Sequence, residues 1–512
     1  MQNLEPKFSR LRNFFWPIHS HEHRKLIPML ALFFLISFIY NLLKCMKVTL
    51  VVTSQGSGAE VIPFLKVWVV LPAAILLTYF YAKLSNYLSR EHVFYTMIAL
   101  FLGFFSVFLL VLYPRRESLE LTGLAQYLGG YLPHGLKGLI SVIRHWPLSL
   151  FYVFSDLWSA AILSMLFWGF ANEVTTVHEA KRFYAIFALG ANLSGIFSGQ
   201  MAQLLILEEY QPWFPFGSAV WEQSLNLQLG LVLCLGAVII ALFRWVNHQI
   251  PKQLAKPSIT DQHLASEASK AQHFSLMECL RYIAQSPYML YIAILVLSYN
   301  IVFNLTDVVW TDQVQQRYPK AADFNAYMNH IASITGIFAT LSSLILSGNV
   351  IRHYGWTLTA LITPGIWLCT SLGFFGCLLL EGNSQWQTML YSLFQVPVLH
   401  LALFFGSAQI CLGRAAKYTV FDESKEIAFI PLSRAEQRKG KAVVDGIASR
   451  LGKSGGSFTI QILLLLCGNL ALIIPYVAAL SLIFIGIWIY AARNLGKLVA
   501  QSIDRVPTTT CD

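Results

Sequence analysis

The sequence predicts an all-helical integral membrane protein with about twelve spans, arranged as two bundles of six. Three observations lead there. First, 56% of the 512 residues are hydrophobic and only 12% are charged, with a mean hydropathy of +0.57. A soluble domain carries about 25% charged residues and needs them to coat its core. Second, apolar windows of about 20 residues, the length that crosses a bilayer, recur along the whole chain. Third, Lys and Arg are unevenly shared between the loops on alternate sides. The net charge of +10, which in a soluble protein would suggest nucleic acid, therefore reads as membrane orientation. The expected environment is the lipid bilayer, with no nucleic-acid partner.

The windows fall at 27–46, 62–82, 92–114, 147–172, 183–207, 225–247, 289–311, 327–349, 357–381, 386–411, 443–470 and 473–492. Several carry charge: Lys66 in the second, Asp156 in the fourth, Asp307 in the seventh, Arg450 and Lys453 in the eleventh. With both termini inside, the cytoplasmic segments hold about 25 Lys and Arg, the external ones about 6 and the spans 5, which accounts for all 36. Four of the external six lie in the longer 115–146 loop. The longest polar interruption, 248–288, opens His248-Gln249-Ile250-Pro251-Lys252 and divides the spans six and six. The expected organisation is a cytoplasmic tail (1–26), a six-helix bundle (27–247), a cytoplasmic linker (248–288), a second bundle (289–492) and a cytoplasmic tail (493–512). Tyr40-Asn41 recurs as Tyr299-Asn300, and that offset sets Val48 opposite Asp307. Two repeated six-helix bundles rocking about a midplane site define a major-facilitator-like architecture.

Shorter signals carry less. The eight cysteines, at 45, 234, 279, 369, 377, 411, 467 and 511, are scattered singly and suggest small packing residues, with neither a disulfide framework nor a CxxC metal site. About 25 mostly polar residues precede the first apolar run, unlike a cleaved signal peptide, so the expected location is a bacterial inner membrane. His19, His21 and His23 alternate without a further nearby ligand and read as a solvated tail, so no metal is expected. Arg450-Leu451-Gly452-Lys453-Ser454-Gly455-Gly456 resembles the end of a phosphate-binding loop, but Ile447 stands where its first glycine belongs and no soluble strand precedes it. A glycine-rich helix that packs closely and exposes backbone amides around Lys453 is the reading preferred. Trp and Tyr near span ends read as interface anchors.

The stronger signal is charge at membrane depth, where insertion costs at least about 2.5–3.5 kcal/mol and is retained for a pathway. Lys44, Lys47, Lys66, Arg450 and Lys453 stand against Asp156 and Asp307. Such an excess of cations suits an anion, and phosphate first, since lysine binds it as a point charge. The blander alternative has Lys44 and Lys47 snorkelling to the external interface, Arg450 at the cytoplasmic mouth, and the lysines paired with the two aspartates. The segment Lys417 to Glu426, continuing to Arg438-Lys439-Gly440-Lys441, reads as a densely charged cytoplasmic loop. It is either a solvated face or a source of ion pairs between the bundles. No GxSxG, HExxH or paired metal-ligand motif is present, so no catalytic residue and no cofactor is expected.

Four segments then carry a resemblance: Ser57 to Glu60 with Ile62 to Lys66; FWGFANEVTTVHEAKRFYAIF at 167–187; KYTVFDESKEIAFIPL at 417–432; and KGKAVVD with LGKSGG at 439–456. Over nearly the whole chain they resemble the ATP/ADP translocase family of chlamydiae, rickettsiae and plastids, unrelated in fold to the mitochondrial carriers. The resemblance implies a nucleotide transporter of an intracellular bacterium. It places the family's functional charges on Lys66, Asp156, Asp307 and Lys453. The family's usual residue at the second and third of these is glutamate, one methylene longer. The ATP/ADP exchangers carry RDTKD after helix one, where this chain reads Lys44-Cys45-Met46-Lys47-Val48. Two carboxylates are missing, which makes the outer end of the chamber more positive than in the exchangers.

The same family includes proton-coupled importers and broader exchangers. Net import of an anion of charge near −4 against an inside-negative potential needs accompanying cations, at about 2.3 kcal/mol per charge per 100 mV. The expectation is alternating-access import of nucleoside triphosphates, proton-coupled or by nucleotide exchange. Lys66, Lys453, Lys47 and Arg450 would hold phosphate, and Asp156 and Asp307 would serve gating or proton coupling. Strict ATP/ADP antiport is the alternative, and a membrane enzyme acting on a phosphorylated lipid a more distant one. A monomer encloses the cavity without a partner chain.

Overall fold

The computed structural model describes residues 19, 22–249, 285–345, 349–381 and 384–504. Outside them lie His21, most of the expected linker, and much of both expected tails. Twelve long helices are seen among the described residues: α1 His23–Val52, α2 Val61–Tyr87, α3 Arg90–Leu112, α4 Trp146–Val174, α5 Val177–Leu204, α6 Val220–Gln249, α7 Pro287–Arg317, α8 Ala321–Ile345, α9 Asn349–Leu380, α10 Val398–Phe429, α11 Ser449–Cys467 and α12 Leu470–Asp504. Ten are long enough and contain an apolar stretch long enough to cross a bilayer.

The other two, α5 and α11, are less apolar because glycine, serine and polar residues take the place of large apolar ones along them. Along α5 the packing uses glycine. A Cβ on Gly199 would meet Ser333 Oγ at 2.2 Å and the Asn329 carbonyl at 2.5 Å, both on α8. Reciprocally, a Cβ on Gly336 of α8 would meet Ile196 Cγ1 at 2.8 Å and the Asn192 carbonyl at 2.9 Å. Small residues let two backbones approach where hydrocarbon gives no hydrophobic drive for helices to associate. Helix α11 does the same against α7: Gly452 lies on Asn300 and Leu297, and Gly456 on Asn304 and Ile301. The close packing expected of this glycine-rich segment is present. Its amides are not exposed, since residues 449–467 form a regular helix entered through helical residues 442–448.

Local chemistry fixes the boundaries. A reciprocal capping box starts α5, in which the Glu179 amide donates to Thr176 Oγ1 and the Thr176 amide to Glu179 Oε2. Ser286 accepts from the Met289 amide, with Pro287 at the first helical position of α7. Gly468, at φ 91°, ends α11.

Several boundaries differ from the sequence expectation. The window at 386–411 is two elements, because Pro397 lacks an amide hydrogen and separates a short exposed helix, Ser384–Phe394, from α10. The expected loop at 417–426 is helical and continues α10 to Phe429. Helix α12 runs on to Asp504, so residues 493–504 are helix where a tail was expected.

Four of the long helical runs contain wide π-helical turns beside charge: Leu65–Val70 holds Lys66, Ser159–Phe167 follows Asp156, Lys417–Phe421 begins on Lys417, and Ala442–Ala448 leads into α11. Each such turn redirects a side chain and frees backbone groups, which is why they gather at functional sites.

The close α5/α8 contact makes a stability prediction. Gly199→Ala should lower the detergent-solubilised unfolding midpoint, at an overpacking cost of about 1–3 kcal/mol. Gly103→Ala, where the added methyl meets nothing within 4 Å, should not lower it, since alanine is favoured over glycine inside a helix by about 0.5–1 kcal/mol. Equal midpoints for both variants in a thermal-shift assay would refute the close approach.

Candidate functional site

The intramembrane charges converge from six helices. On α1, Lys44 and Lys47 are one turn apart. The Lys47 ammonium donates to Asp156 Oδ1 on α4 and lies 4.6 Å from the Tyr152 ring centroid. Tyr152 and Asp156 are four residues apart on α4, so they present one face to the lysine. The Lys47 side chain is only 7% exposed, whereas that of Asp156 keeps 37%. Lys47 therefore does not snorkel to an interface. Asp156 turns its other face toward an open, water-accessible interior.

Lys66 reaches from α2 to α7. Its ammonium donates to Asn304 Oδ1 at 2.9 Å and lies 3.6 Å from Asp307 Oδ2. The orientation of Asn304 is set by its own helix, because its Nδ2 donates back to the Asn300 carbonyl at 2.8 Å and leaves Oδ1 to accept. On the far side of Asp307, the Arg414 guanidinium of α10 lies 4.0 Å from Oδ1 and 5.1 Å from the Phe303 ring centroid. One carboxylate on α7 is thus shared between a cation from the first six helices and a cation from the last six.

Sequence reasoning missed Arg414, which it counted among cytoplasmic charges. The available signal was its position only three residues after Cys411, on the helix face of an unbroken apolar run. It also placed Lys417 in a loop. In the structure Lys417 is helical, bonded to Asp422 Oδ2 at 2.8 Å and 4.6 Å from the Tyr418 ring.

Lys44, Arg450 and Lys453 form no ion pair among the described residues. Lys44 lies one turn before Lys47 on α1, and Lys453 lies on α11 between Gly452 and Gly456, which pack that helix on α7 at Asn300 and Asn304 beside the Lys66 bridge. Lys453 and Arg450 are exposed on α11, one turn apart. The arrangement brings together Lys44, Lys47, Lys66, Asp156, Asp307, Arg414 and Lys453, five cations against two carboxylates, with Arg450 a turn further toward the start of α11.

This interior is sealed at one end. Gln315 of α7 donates to the carbonyls of Val52 at 2.8 Å and Ser57 at 3.4 Å. Asn325 of α8 donates to Thr49 Oγ1 at 3.1 Å. Gln461 of α11 donates to the Pro63 carbonyl at 2.9 Å and accepts from Trp68 Nε1 at 3.0 Å. Gly135, in the 134–136 turn, lies against the Leu464 backbone.

At the opposite end the described ion pairs stay within each set of six. Lys25 bonds Glu179 at 2.7 Å, and Arg90 pairs with Glu173. Lys425 bonds Asp445 at 2.7 Å, and Lys441 bonds Glu426 at 2.5 Å. The charged segment at 417–441 therefore makes its described ion pairs locally, not between the two sets. The chamber opens toward the end that carries the start of α1.

Comparison with known proteins identifies the family and the fold. The family model for the TLC ATP/ADP transporter matches residues 1–499. The chain is 40% identical to ADP,ATP carrier protein 1 of Chlamydia pneumoniae over 97% of its length and 96% of the relative's. It is 40% identical to ADP,ATP carrier protein 2 of the same organism, over 99% and 95%. A chloroplastic ADP,ATP carrier protein 1 of Arabidopsis thaliana is 37% identical, over 92% of this chain and 73% of that one. Among solved structures, a bacterial homologue of the iron transporter ferroportin in an inward-facing state superposes with a TM-score of 0.58 at 14% identity, covering 92% and 98% of the two chains. A D-xylose–proton symporter gives 0.51 at 13%, covering 93% and 98%. These two establish the major-facilitator-like fold and nothing further. The chain belongs to the TLC ATP/ADP transporter family, as a multi-pass membrane nucleotide transporter and not an enzyme.

Proposed function

We propose that the chain imports nucleoside triphosphates across the inner membrane of an intracellular bacterium by alternating access, with both termini cytoplasmic. Lys66 and Lys453 hold the phosphates, assisted by Lys47 and Arg450, and Asp156 and Asp307 serve gating and coupling. Two bodies, 27–247 and 289–492, rock about this site. The observation that carries the reading is the bridge from Lys66 to Asn304 and Asp307, which ties the first six helices to the last six at membrane depth.

In this state Asp307 occupies the cations that a phosphate needs. A polyphosphate entering from the open end competes with the carboxylate for Lys66, and protonation of Asp307 weakens the same pair. Either event loosens the bridge, so substrate or proton occupancy is linked to the opening of the sealed end. A carrier of this design couples transport to protons or to nucleotide exchange.

The segment Lys44 to Val48 favours substrates and coupling beyond ATP-for-ADP exchange. Cys45 is buried and uncharged, and Lys44 has no counter-ion among the described residues. Strict ATP/ADP antiport is the second reading, favoured by the names of the relatives.

The separating experiment is uptake of labelled ATP, GTP, CTP and UTP into intact cells expressing the chain, with and without a protonophore and with preloaded ADP. Entry of a nucleotide without counter-substrate, abolished by the protonophore, is the expected result. ATP entry only against internal ADP, indifferent to the protonophore, would establish the antiporter.

The ion pairs make two further predictions. Asp156→Asn leaves the Lys47 ammonium buried without its carboxylate, a loss of at most about 3–5 kcal/mol because Asp156 remains partly open to water. Folded yield by size-exclusion profile should fall. Lys47→Met combined with Asp156→Asn should restore most of the yield but not transport. If the double variant transports normally, the pair is purely structural.

For Asp307, uptake by Asp307→Asn should lose the pH dependence of the parent protein. A full pH profile in that variant would remove Asp307 as the proton carrier.

A further inference from the structure

A second cationic site lies on the lipid-facing side of the protein. Helix α12 leaves the sealed end at Leu470, and Tyr490 stands twenty residues later, about 30 Å along the axis and hence at the opposite membrane interface. Leu472, Tyr476, Ile483, Ile487 and Tyr490 are exposed at helical spacing and form one lipid-facing stripe. This stripe runs into a pocket of about 490 Å³ between α12 and the start of α9, lined by Tyr490, Arg493, Asn494, Lys497 and Ala500 of α12 and by Thr357 of α9.

The floor of the pocket is a close helix crossing, where a Cβ on Gly496 would meet Thr357 Oγ1 at 2.1 Å. Just before it, Gly355 turns the chain at φ 74°, so α9 bends at the rim. Arg493 and Lys497 are four residues apart on one face, both exposed, and neither forms an ion pair among the described residues. The Asn494 Nδ2 donates to the Tyr490 carbonyl at 3.1 Å, so its amide is held by its own helix.

We propose that this pocket binds the headgroup of an anionic phospholipid, with the acyl chains lying along the stripe from Tyr476 to Tyr490. The two cations hold the phosphodiester, and the Thr357 hydroxyl is placed to donate to its ester oxygens. Three features point to a lipid over a soluble anion. The pocket adjoins the exposed apolar stripe of α12, it lies at interface depth, and it lies on the outer surface of the helix bundle, away from the charged chamber. Basic pockets between helices are the usual recognition sites for acidic headgroups, and they act with the negative surface potential of the cytoplasmic leaflet. Helix α12 also packs on α7, with Trp488 edge-on to Tyr299 at 5.8 Å, so the bound lipid steadies the helix that carries Asn304 and Asp307.

The test uses the full chain in phosphatidylcholine vesicles containing spin-labelled phosphatidylglycerol or spin-labelled phosphatidylcholine, reading the motionally restricted fraction. The parent protein should prefer phosphatidylglycerol. The R493Q/K497Q variant should lose up to about thirtyfold of that preference, the effect of two interfacial cations on one headgroup. R493K/K497R should keep it. Ala500→Trp, which fills the pocket and leaves the charges, should also lose it, which guards against a folding artefact in the charge variant. An unchanged preference in R493Q/K497Q or in Ala500→Trp overturns the assignment. So does displacement of the labelled lipid by millimolar inorganic phosphate or ATP, which would make the pocket a soluble-anion site.

Discussion

The contact on which the structure turns is that of Lys66 with Asn304 and Asp307. Each charge at membrane depth carries an insertion penalty of at least about 2.5–3.5 kcal/mol, and a charge without a counter-charge or water is not stable there. Lys66 meets that requirement by reaching out of its own six helices into α7. The neutral amide of Asn304 takes the closer bond and Asp307 the longer one. Arg414 stands on the other side of Asp307, so the carboxylate is shared and not saturated by one cation. That sharing leaves the bridge able to exchange partners. Lys47 and Asp156 show the contrasting case of a tight pair within the first six helices, packed on Tyr152.

The surrounding helices serve that contact. Gly452 and Gly456 press α11 onto α7 at Asn300 and Asn304, which sets α11 beside the residue that receives Lys66. A side chain at either glycine would push α11, and Lys453 with it, away from the chamber. Wide helical turns occur at Lys66, after Asp156, and at Lys417. Regular 3.6-residue geometry holds a long helix straight, whereas a π-turn rotates the helical segment on its C-terminal side. Charges placed at such turns are aimed inward by backbone geometry, not only by side-chain reach.

Much of this was legible in the sequence, and the misses have common causes. Spans stand out where apolar side chains face lipid, so α3, α6 and α12 were plain. Helices α5 and α11 are less apolar because they bury glycine, serine and asparagine against α8 and α7. The intramembrane lysines and aspartates were visible as charges inside apolar runs. Arg414 and Lys417 were not, since they stand where polarity rises toward Asp422 and Glu423 and a hydropathy window ends. Asn304 was invisible because an asparagine in a span raises no alarm until its partner is known, and Lys66 lies 238 residues away. The break before α10 could have been read from Pro397.

The two ends of the protein are held by different chemistry, and the difference suits a moving carrier. The sealed end is joined across the halves by neutral donors and acceptors: Gln315, Asn325, Gln461 and Trp68 with carbonyls, a hydroxyl and one another. Such bonds contribute about 0.5–1.5 kcal/mol each, because water replaces them on opening. An ion pair buried there would leave uncompensated charge whenever the halves part. The described ion pairs at the open end, Lys25 with Glu179 and Lys425 with Asp445, lie within one set of helices. They keep each set rigid while the gap between them changes. The strong interactions thus hold together the helices that move as a unit. The weak ones close the gate, and among the described ion pairs only that of Lys66 with Asp307 crosses between the sets, at the depth where a substrate phosphate can replace the carboxylate.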